Sequence, residues 1–405
     1  MNTIPAIHSN ESTVPGTSQT PGAGSQSLKK TLDLCIQKTR NNIEALANEP
    51  KTWSWDVDGN YANWNEDLYA IGNWTSSFIT GMALLAWRET EEDHFLNQVL
   101  RLQHMYQDKV FVHHADTMHD LGFLYSLYSV ALFKLTGKSL HRETALRAAE
   151  LLASRYNPRG KFIRAWGRLD CDTVATIDDG SIPVADMAII DSMMNLPLLF
   201  WAAEETGNVG FREIALNHAD TTLKNFIRED HSVYHAFRFN LETGAPVRGE
   251  NYCGRDVESY WARGAAWAIY GLAICHRYTR IAKYHEAALC LARKFISNLD
   301  SKIIPVWDFR LPGGEARLRD SSAAAIAVCG FQELLKQAKH SFVAQAKERL
   351  LNCLCSEDYV NFNLNCPGIL RLGQVGRAQN TYTSWGDYFL MEALVVEQHG
   401  NGTFW

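Results

Sequence analysis

A repeated two-helix pattern is the feature that most limits what this chain can fold into. From about residue 29 onward, an almost wholly apolar helical segment recurs that opens with polar, acidic or tryptophan residues and ends at glycine or a polar turn. A second segment with an apolar stripe on one side usually follows it. A helix that is apolar nearly all round is buried and a striped helix covers it, so the repeat indicates one architecture built from helix pairs.

Six copies of the apolar segment can be read along the chain. They span residues 74–90, 119–137, 191–207, 261–279, 320–338 and 384–400. The clearest striped segments between them span residues 141–156, 211–227, 284–299 and 341–354. We therefore predict an all-α fold, an (α/α)6 barrel of six helical hairpins with an inner and an outer ring of six helices.

Composition and charge restrict the partners. The chain is 46% hydrophobic and its net charge of −6 is spread without a basic block, which argues against nucleic acid and anionic membranes as partners. No apolar run reaches the roughly 18 residues that span a bilayer. The nine cysteines are an odd number without a Cys-x-x-Cys pair, which favours reduced thiols over disulfides or structural zinc.

The start of the chain differs from the rest. Residues 1–28 are rich in Ser, Thr, Pro and Gly, with neither the basic start nor the apolar core of a secretory signal. We expect a disordered tail over 1–28, a catalytic barrel over 29–405 and a cytoplasmic location.

The polar openings of the inner helices predict where chemistry lies. Inner helices of such a barrel run parallel, so their N-termini meet at one mouth. The residues placed there are Trp74, Asp116, Asp120, Asp191, Arg263 and Asp387. Aspartate at a helix start is also a common N-cap, and Asp320 fits either interpretation. Asp191 lies inside the apolar run AIIDSMMNL, so we expect it to be buried.

Asp191 and Asp120 begin neighbouring inner helices. Burial and a second carboxylate both raise a carboxyl pKa, so one member of such a pair can deliver a proton while the other stays charged. That is the carboxylate chemistry of glycoside hydrolysis. A buried structural pair is the alternative.

Other polar residues near the predicted mouth invite a role. Asp116 and Asp120 share a face if the helix already runs there. The histidines of HHADTMHD suggest a metal, but their spacing matches no defined site, and we predict a hydrogen-bonding network and no metal. Arg263, in an apolar helix, needs an anionic partner, for which a substrate carboxylate or sulfate and Glu258 are candidates.

Seven motifs together resemble the unsaturated glucuronyl hydrolases of glycoside hydrolase family 88, over about residues 30–400. The motifs are NWTSSFITGMALLAW, HDLGFLY, IIDSMMNLPLLFWA, VYHAF, WARGAAWAIYG, RDSSAAAIA and SWGDYFLMEAL. The resemblance implies an (α/α)6 barrel without metal or cofactor. It also implies as substrate a disaccharide or short oligosaccharide with a 4,5-unsaturated uronic acid at its non-reducing end, of glycosaminoglycan type.

The same resemblance implies residue roles. Asp191 matches the acid that protonates C4 of the enol-ether double bond and then helps water to add at C5, after which the hemiketal opens and the sugar linkage breaks. Asp120 matches the residue that stabilises the charged transition state. Positions that match sugar-contacting residues are Trp74, Trp166, His235, Cys253, Arg263 and Trp267. Thr381 and Ser384 are expected near the uronate carboxylate.

Two departures from the family pattern affect the leaving sugar. Cys253 stands where family members often have glutamine, and residues 167–185 form a long segment that we expect to act as a flap. The leaving sugar and its sulfation stay open, as does a monomer or a homodimer. Alternatives are an unsaturated rhamnogalacturonyl hydrolase, an epimerase or lyase on the same barrel, and a helical-repeat binding scaffold.

Overall fold

A computed structural model of the chain describes residues 23–51, 53–55, 61, 67–170, 183–375 and 379–405. Fourteen α-helices lie within these ranges. They are α1 (Ala23–Asn48), α2 (Ser76–Thr90), α3 (Asp93–Arg101), α4 (Gln103–Phe111), α5 (Leu121–Tyr125), α6 (Ala131–Thr136), α7 (Ser139–Ser154), α8 (Leu196–Thr206), α9 (Val209–Asn225), α10 (Ala262–Thr279), α11 (Ala282–Ser297), α12 (Ser321–Gln337), α13 (Ser341–Leu354) and α14 (Ser384–His399). A π-helical turn, Ser126–Val130, joins α5 to α6, and a 3-10 turn, Ile190–Met194, precedes α8.

The inner ring is closed. Helix α2 packs on α5, α5 on α8, α8 on α10, α10 on α12, α12 on α14, and α14 returns to α2. The outer helices α1, α3 with α4, α7, α9, α11 and α13 alternate with them along the chain and pack against their outer sides. The all-α (α/α)6 barrel predicted from the repeat is confirmed.

Burial separates the two rings as the apolar patterns predicted. In the inner helix α10 every residue from Ala262 to Cys275 is buried. In the outer helix α11 only Tyr284, Ala288, Leu291, Ala292 and Phe295 are buried, which is the spacing of one helix face.

Short strands lie between the helices. They are β1 (Tyr156–Asn157), β2 (Phe162–Ile163), β3 (Met187–Ile189), β4 (Ala236–Phe239), β5 (Pro246–Glu250), β6 (Gly373–Val375) and β7 (Gln379–Thr381). All pairings among them are antiparallel: β1 with β2, β3 with β4 and β4 with β5, and β6 with β7. The β3–β4 and β6–β7 pairs precede or adjoin the starts of inner helices.

The last residues of the described chain fill the barrel at the end opposite the N-termini of the inner helices. Trp405 is buried, its ring lies parallel to Phe389 at 6.0 Å, and its indole N–H donates to the buried carboxylate of Glu392 at 2.8 Å. Arg277, in the last turn of α10, donates to the Trp405 carbonyl. This segment therefore belongs to the core.

Parts of the predicted organisation lie outside the described ranges. Helix α1 begins at Ala23, ahead of the boundary that we predicted at residue 29, and residues 1–22 are not among those described. Most of the segment 167–185, namely 171–182, also lies outside them. The eight cysteines that the structure describes are free thiols. No helix in the described ranges is both long and apolar enough to cross a membrane.

Candidate active site

The starts of the inner helices meet in a chain of contacts. Arg263, in the first turn of α10, donates to Asp320, the N-cap of α12, at 2.8 Å, and its guanidinium lies 5.3 Å from the ring of Trp385 at the start of α14. Trp385 in turn stacks on Trp74, just before α2, at 4.8 Å. The convergence expected from parallel inner helices is therefore observed.

The β3–β4 pairing sets Asp191 beside His235. Asp191 lies in the 3-10 turn that follows β3, and His235 immediately precedes β4. Ile189 pairs with Ala236, and the Ile190 N–H donates to the His235 carbonyl at 2.8 Å. The His235 Nε2 consequently lies 3.6 Å from Oδ2 of Asp191.

A close approach of two backbones brings Asp120 to Asp191. Asp120 is the N-cap residue of α5. Two residues later, a Cβ placed on Gly122 would lie only 2.3 Å from the Cα of Asn195. The Asn195 side chain accepts from the Phe123 N–H at 2.8 Å and donates to the Asp191 carbonyl at 3.3 Å. Asn195 thus fastens one carboxyl-bearing segment to the other.

Both carboxyls have strongly raised pKa values. Burial raises the pKa of Asp120 to about 8, and the charge of Asp191 adds to the rise, while Arg155 opposes it. Burial raises the pKa of Asp191 to about 7, against the opposing effect of Arg263. The two groups titrate as a pair, so at neutral pH at least one of them carries a proton.

His235 is neutral and lies beside Asp191 without a hydrogen bond to it. The Tyr252 N–H donates to its Nδ1 at 3.1 Å, so the ring proton is on Nε2, the atom that faces Asp191. Burial, with Arg263 second, lowers the pKa of His235 to about 3. The ring also contacts Trp261 edge to face at 5.1 Å and lies 6.1 Å from Trp166.

Three of the predicted tryptophans line or support this region. Trp74 and Trp166 are half-buried, so each offers a face to the mouth. Trp267 is fully buried between Phe123 and Phe389, and its indole lowers the pKa of Asp191. Trp267 therefore belongs to the core and to the acid's surroundings at once.

The remaining predicted contacts have varied positions. Cys253 is half-buried, and burial with the charge of Asp191 raises its thiol pKa to about 12. Thr381 pairs with Gly373, next to Gln374, whose carbonyl accepts from Arg263 at 2.8 Å. Ser384 is buried and its hydroxyl donates to the Trp53 carbonyl at 2.8 Å. The hydroxyl of Ser384 therefore anchors the start of α14.

Some sequence expectations about neighbouring residues are wrong. Arg263 pairs with Asp320, whereas Glu258 is exposed and lies 4.0 Å from Arg310. Asp320 both caps α12 and holds Arg263, because its two oxygens serve different partners.

Asp116 and Asp387 do not join the carboxyl pair. Helix α5 begins only at Leu121, so Asp116 lies in the preceding turn, where it pairs with Arg168. Asp387 is buried in the first turn of α14 and accepts from the Ile369 and Leu370 N–H groups. In the described ranges no group of three or more His, Cys, Asp or Glu side chains is placed to hold a metal ion.

Sequence reasoning missed Arg155, which shapes one wall of the site. This buried arginine donates to the carbonyls of Thr117, Arg164, Ala165, Trp166 and Gly167 at 2.8–3.1 Å. It follows a striped outer helix, and that position predicts an exposed residue. Only the lack of a nearby acidic residue in sequence hints that carbonyls hold it. Asn195 was hidden in the same way inside an apolar motif.

Known proteins resemble this chain over most of its length. The model of Glycosyl Hydrolase Family 88 matches residues 37–351. An unsaturated chondroitin disaccharide hydrolase of Streptococcus pyogenes serotype M1 is 33% identical over 386 residues, 91% of each chain. The crystal structure of an unsaturated glucuronyl hydrolase responsible for the degradation of glycosaminoglycan, from Bacillus sp. GL1, superimposes with a TM-score of 0.83 at 30% identity, covering 93% of this chain and 99% of that one. That of an unsaturated glucuronyl hydrolase specific for heparin gives a TM-score of 0.78 at 25% identity over 93% and 99%.

Proposed function

Because the chain belongs to glycosyl hydrolase family 88 and is a glycoside hydrolase, we propose that it releases a 4,5-unsaturated uronic acid from the non-reducing end of lyase-generated glycosaminoglycan disaccharides and short oligosaccharides. The reaction is hydration of the C4=C5 double bond. The support is the paired, buried carboxyls Asp120 and Asp191, together with relatives that act on such sugars.

The chemistry needs one group that gives a proton and one that stays charged. Protonated Asp191 gives its proton to C4, the π electrons form the new C–H bond, and the ring oxygen shares the positive charge left at C5. Water adds to C5 and returns a proton to the Asp191 carboxylate. The C5 hemiketal then opens to a ketone, and the former ring oxygen becomes a hydroxyl on C1. C1 is now a hemiacetal, which expels the leaving sugar.

The contacts of Asp191 fit this role. The Nε2 of His235 lies 3.6 Å from Oδ2, beyond hydrogen-bond distance, and Oδ2 has no hydrogen-bond partner among the described residues. No donor from His235 therefore holds the carboxyl in its charged form. Desolvation keeps the acid protonated near neutral pH, where a general acid works best. Asp120 and Asp191 titrate as a pair, and the reactive one-proton state has the proton on Asp191. In that state the Asp120 carboxylate stabilises the cation that forms at C5 and the ring oxygen.

The walls of the site supply sugar contacts in this proposal. The half-buried rings of Trp74 and Trp166 offer stacking faces. Arg263, which keeps Nε without a hydrogen-bond partner among the described residues, contributes positive charge for the uronate. Thr381 and Ser384 are proposed to lie toward the uronate carboxylate, Ser384 through its position next to Trp385. Cys253 is proposed to face the leaving sugar.

The placement of two buried carboxyls on segments that Gly122 and Asn195 bring together carries the proposal, and burial raises the pKa of both. A structural pair gains nothing from two acids that resist ionisation, since burying each charged form destabilises the fold. Groups perturbed in this way are typical of catalytic sites.

One assay set tests the function. The protein is mixed with unsaturated chondroitin, hyaluronan, heparin and rhamnogalacturonan disaccharides, and loss of the ultraviolet absorbance of the conjugated double bond is followed. We expect loss with a glycosaminoglycan disaccharide. Asp191→Asn should reduce kcat by at least about 10³-fold, since it removes the acid, and Asp120→Asn should also be severely impaired. Asp116→Asn, at the surface, is the matched control.

The outcomes separate the alternatives. Activity only on the rhamnogalacturonan product would replace the glucuronyl assignment, and full activity of Asp191→Asn would remove the mechanism. An epimerase using histidine acid and base is disfavoured by the lowered pKa values of the two histidines that lie against the carboxyls, His119 and His235. A binding scaffold gives no reason for the raised carboxyl pKa values.

We also propose that the enzyme works in the reducing cytoplasm as a monomer or homodimer. The support is that the eight described cysteines, several of them buried, are free thiols. Thiol titration of protein isolated without reductant and light scattering on a sizing column test these two points.

A further inference from the structure

His119 lies against Asp120, with its Nε2 3.4 Å from Oδ1, and is itself buried. We propose that His119 is a positioning residue that keeps Asp120 charged while Asp191 holds the proton, and that Asn195 sets the tautomer in which His119 does so. The inference rests on the proposed function, because it assigns the charged partner of the same acid.

The hydrogen bonds of Asn195 determine the tautomer. Its Oδ1 accepts from the Phe123 N–H and its Nδ2 donates to the Asp191 carbonyl, so the amide orientation is fixed. The same Nδ2 lies 3.5 Å from Nδ1 of His119. A donor facing Nδ1 requires Nδ1 to be the acceptor, and the ring proton must then be on Nε2, toward Asp120.

Ser192 supports the same arrangement. Its hydroxyl oxygen lies 2.9 Å from Nδ1 of His119, and a hydroxyl is free to donate. Ser192 and Asn195 both follow Asp191, Ser192 in the same 3-10 turn and Asn195 as the N-cap of α8. The segment that carries the acid thus also fixes the histidine that faces the other carboxyl.

Burial keeps His119 neutral. Burial lowers its pKa well below the usual range, and Arg155, His218 and His235 lower it further. The ring therefore presents an N–H dipole to Asp120 across the physiological pH range and does not titrate there.

Several groups act in opposite directions on the pKa of Asp120. Burial and Asp191 favour its neutral form, whereas Arg155 on the α7 side and Lys109 of α4 favour the carboxylate. An N–H donor stabilises the charged form of a carboxyl. Removing the His119 donor should therefore leave Asp120 protonated to higher pH, and the acid limb of kcat/KM should move upward with it.

Three variants distinguish positioning from packing. His119→Gln places an amide N–H near the former Nε2, His119→Asn has a side chain too short to reach Asp120, and His218→Gln alters another buried histidine, which accepts from the Ile163 N–H. We expect His119→Asn to move the acid limb up by about one pH unit and to lower kcat near neutral pH by about 10–100-fold. His119→Gln should restore most of both, and His218→Gln should leave the limb in place.

The proposal is overturned if the acid limb of kcat/KM stays in place in His119→Asn. It is also overturned if that limb shifts as far in His119→Gln as in His119→Asn. Nitrogen-15 NMR of the histidines gives a readout without activity: the resonances lost in His119→Gln should show Nε2–H and no imidazolium at pH 7. An Nδ1–H tautomer or an imidazolium overturns it as well. If the wild-type protein hydrates no unsaturated disaccharide, the proposed function fails, and the NMR result still decides the tautomer.

Discussion

Gly122 holds the two carboxyls together, and adding one methyl group there should separate them. A Cβ at this position would lie 2.3 Å from the Asn195 Cα and 2.6 Å from its carbonyl oxygen, whereas ordinary contact begins at 3.4 Å. Both atoms belong to the backbone, so no side chain can rotate away. In Gly122→Ala the start of α5 and the start of α8 must therefore move apart by about 1 Å.

The magnitude follows from two opposing effects. Alanine is favoured over glycine within a helix by about 1 kcal/mol, so without the contact the variant would be more stable. Overpacking against rigid neighbours typically destabilises by about 1–3 kcal/mol, occasionally more, and the Asn195–Phe123 hydrogen bond lengthens as the segments separate. We expect a net loss of stability of about 1–2 kcal/mol. Displacing a reacting group by about 1 Å lowers the rate by about 10²-fold. The relative loss of kcat should therefore be larger than the relative loss of folded protein.

Thermal unfolding and steady-state kinetics on an unsaturated disaccharide measure the two effects. Gly210→Ala is the control, because it lies in the first turn of α9 and its new Cβ would meet only the Asn208 side-chain oxygen, at 3.1 Å. That variant should be unchanged in activity and close to the parent in stability. A Gly122→Ala protein that is more stable than the parent and fully active would refute the close-approach argument.

Three further predictions concern the surroundings of the site. The folded-state pKa values of Asp120 and Asp191 lie above their unfolded values, so these groups favour folding most at low pH, and that contribution is lost as pH rises from about 4 to about 8. The melting temperature of Asp120→Asn should therefore exceed that of the wild type by more at pH 8 than at pH 5. A melting temperature below that of the wild type at pH 8 would contradict this. Arg155→Met leaves buried carbonyls without donors and frees the Trp166 segment, so stability should fall by about 3–5 kcal/mol and KM should rise, as measured by denaturant unfolding and kinetics. Trp405→Ala removes the packing on Phe389 and a donor to Glu392, and should lower stability by about 3–5 kcal/mol with little change in the pH profile; an unchanged unfolding midpoint would show that Trp405 is not part of the core.

Apolar periodicity predicted the barrel well because it reports burial directly. The inner helices are apolar all round and the outer ones striped, and these are the two burial patterns that α10 and α11 show. Apolar periodicity does not report which side chains pair with one another at the mouth. Arg263 bonds to Asp320, 57 positions away, because β6 and the starts of α10 and α12 come together in space. Sequence alone identified a buried arginine that needs an anion, and it offered Glu258, which is close in sequence and exposed in the structure.

Cap geometry separates the structural acids at this mouth from the two that we propose to be functional. Asp320 and Thr383 accept hydrogen bonds from the first N–H groups of their helices, so their side-chain oxygens are committed to the fold. Asp120 occupies the same N-cap position on α5, yet its side chain caps nothing, and it faces Asp191 and His119 instead. A helix start favours a nearby negative charge, which adds to the His119 donor in stabilising the Asp120 carboxylate. Asp191 follows a strand into a 3-10 turn, without a capping role, and has a neutral histidine at one oxygen. Asp387 does not cap α14 either, but its oxygens accept from the Ile369 and Leu370 N–H groups. Freedom from both kinds of backbone hydrogen bond separates the proposed catalytic pair, Asp120 and Asp191, from Asp320 and Asp387.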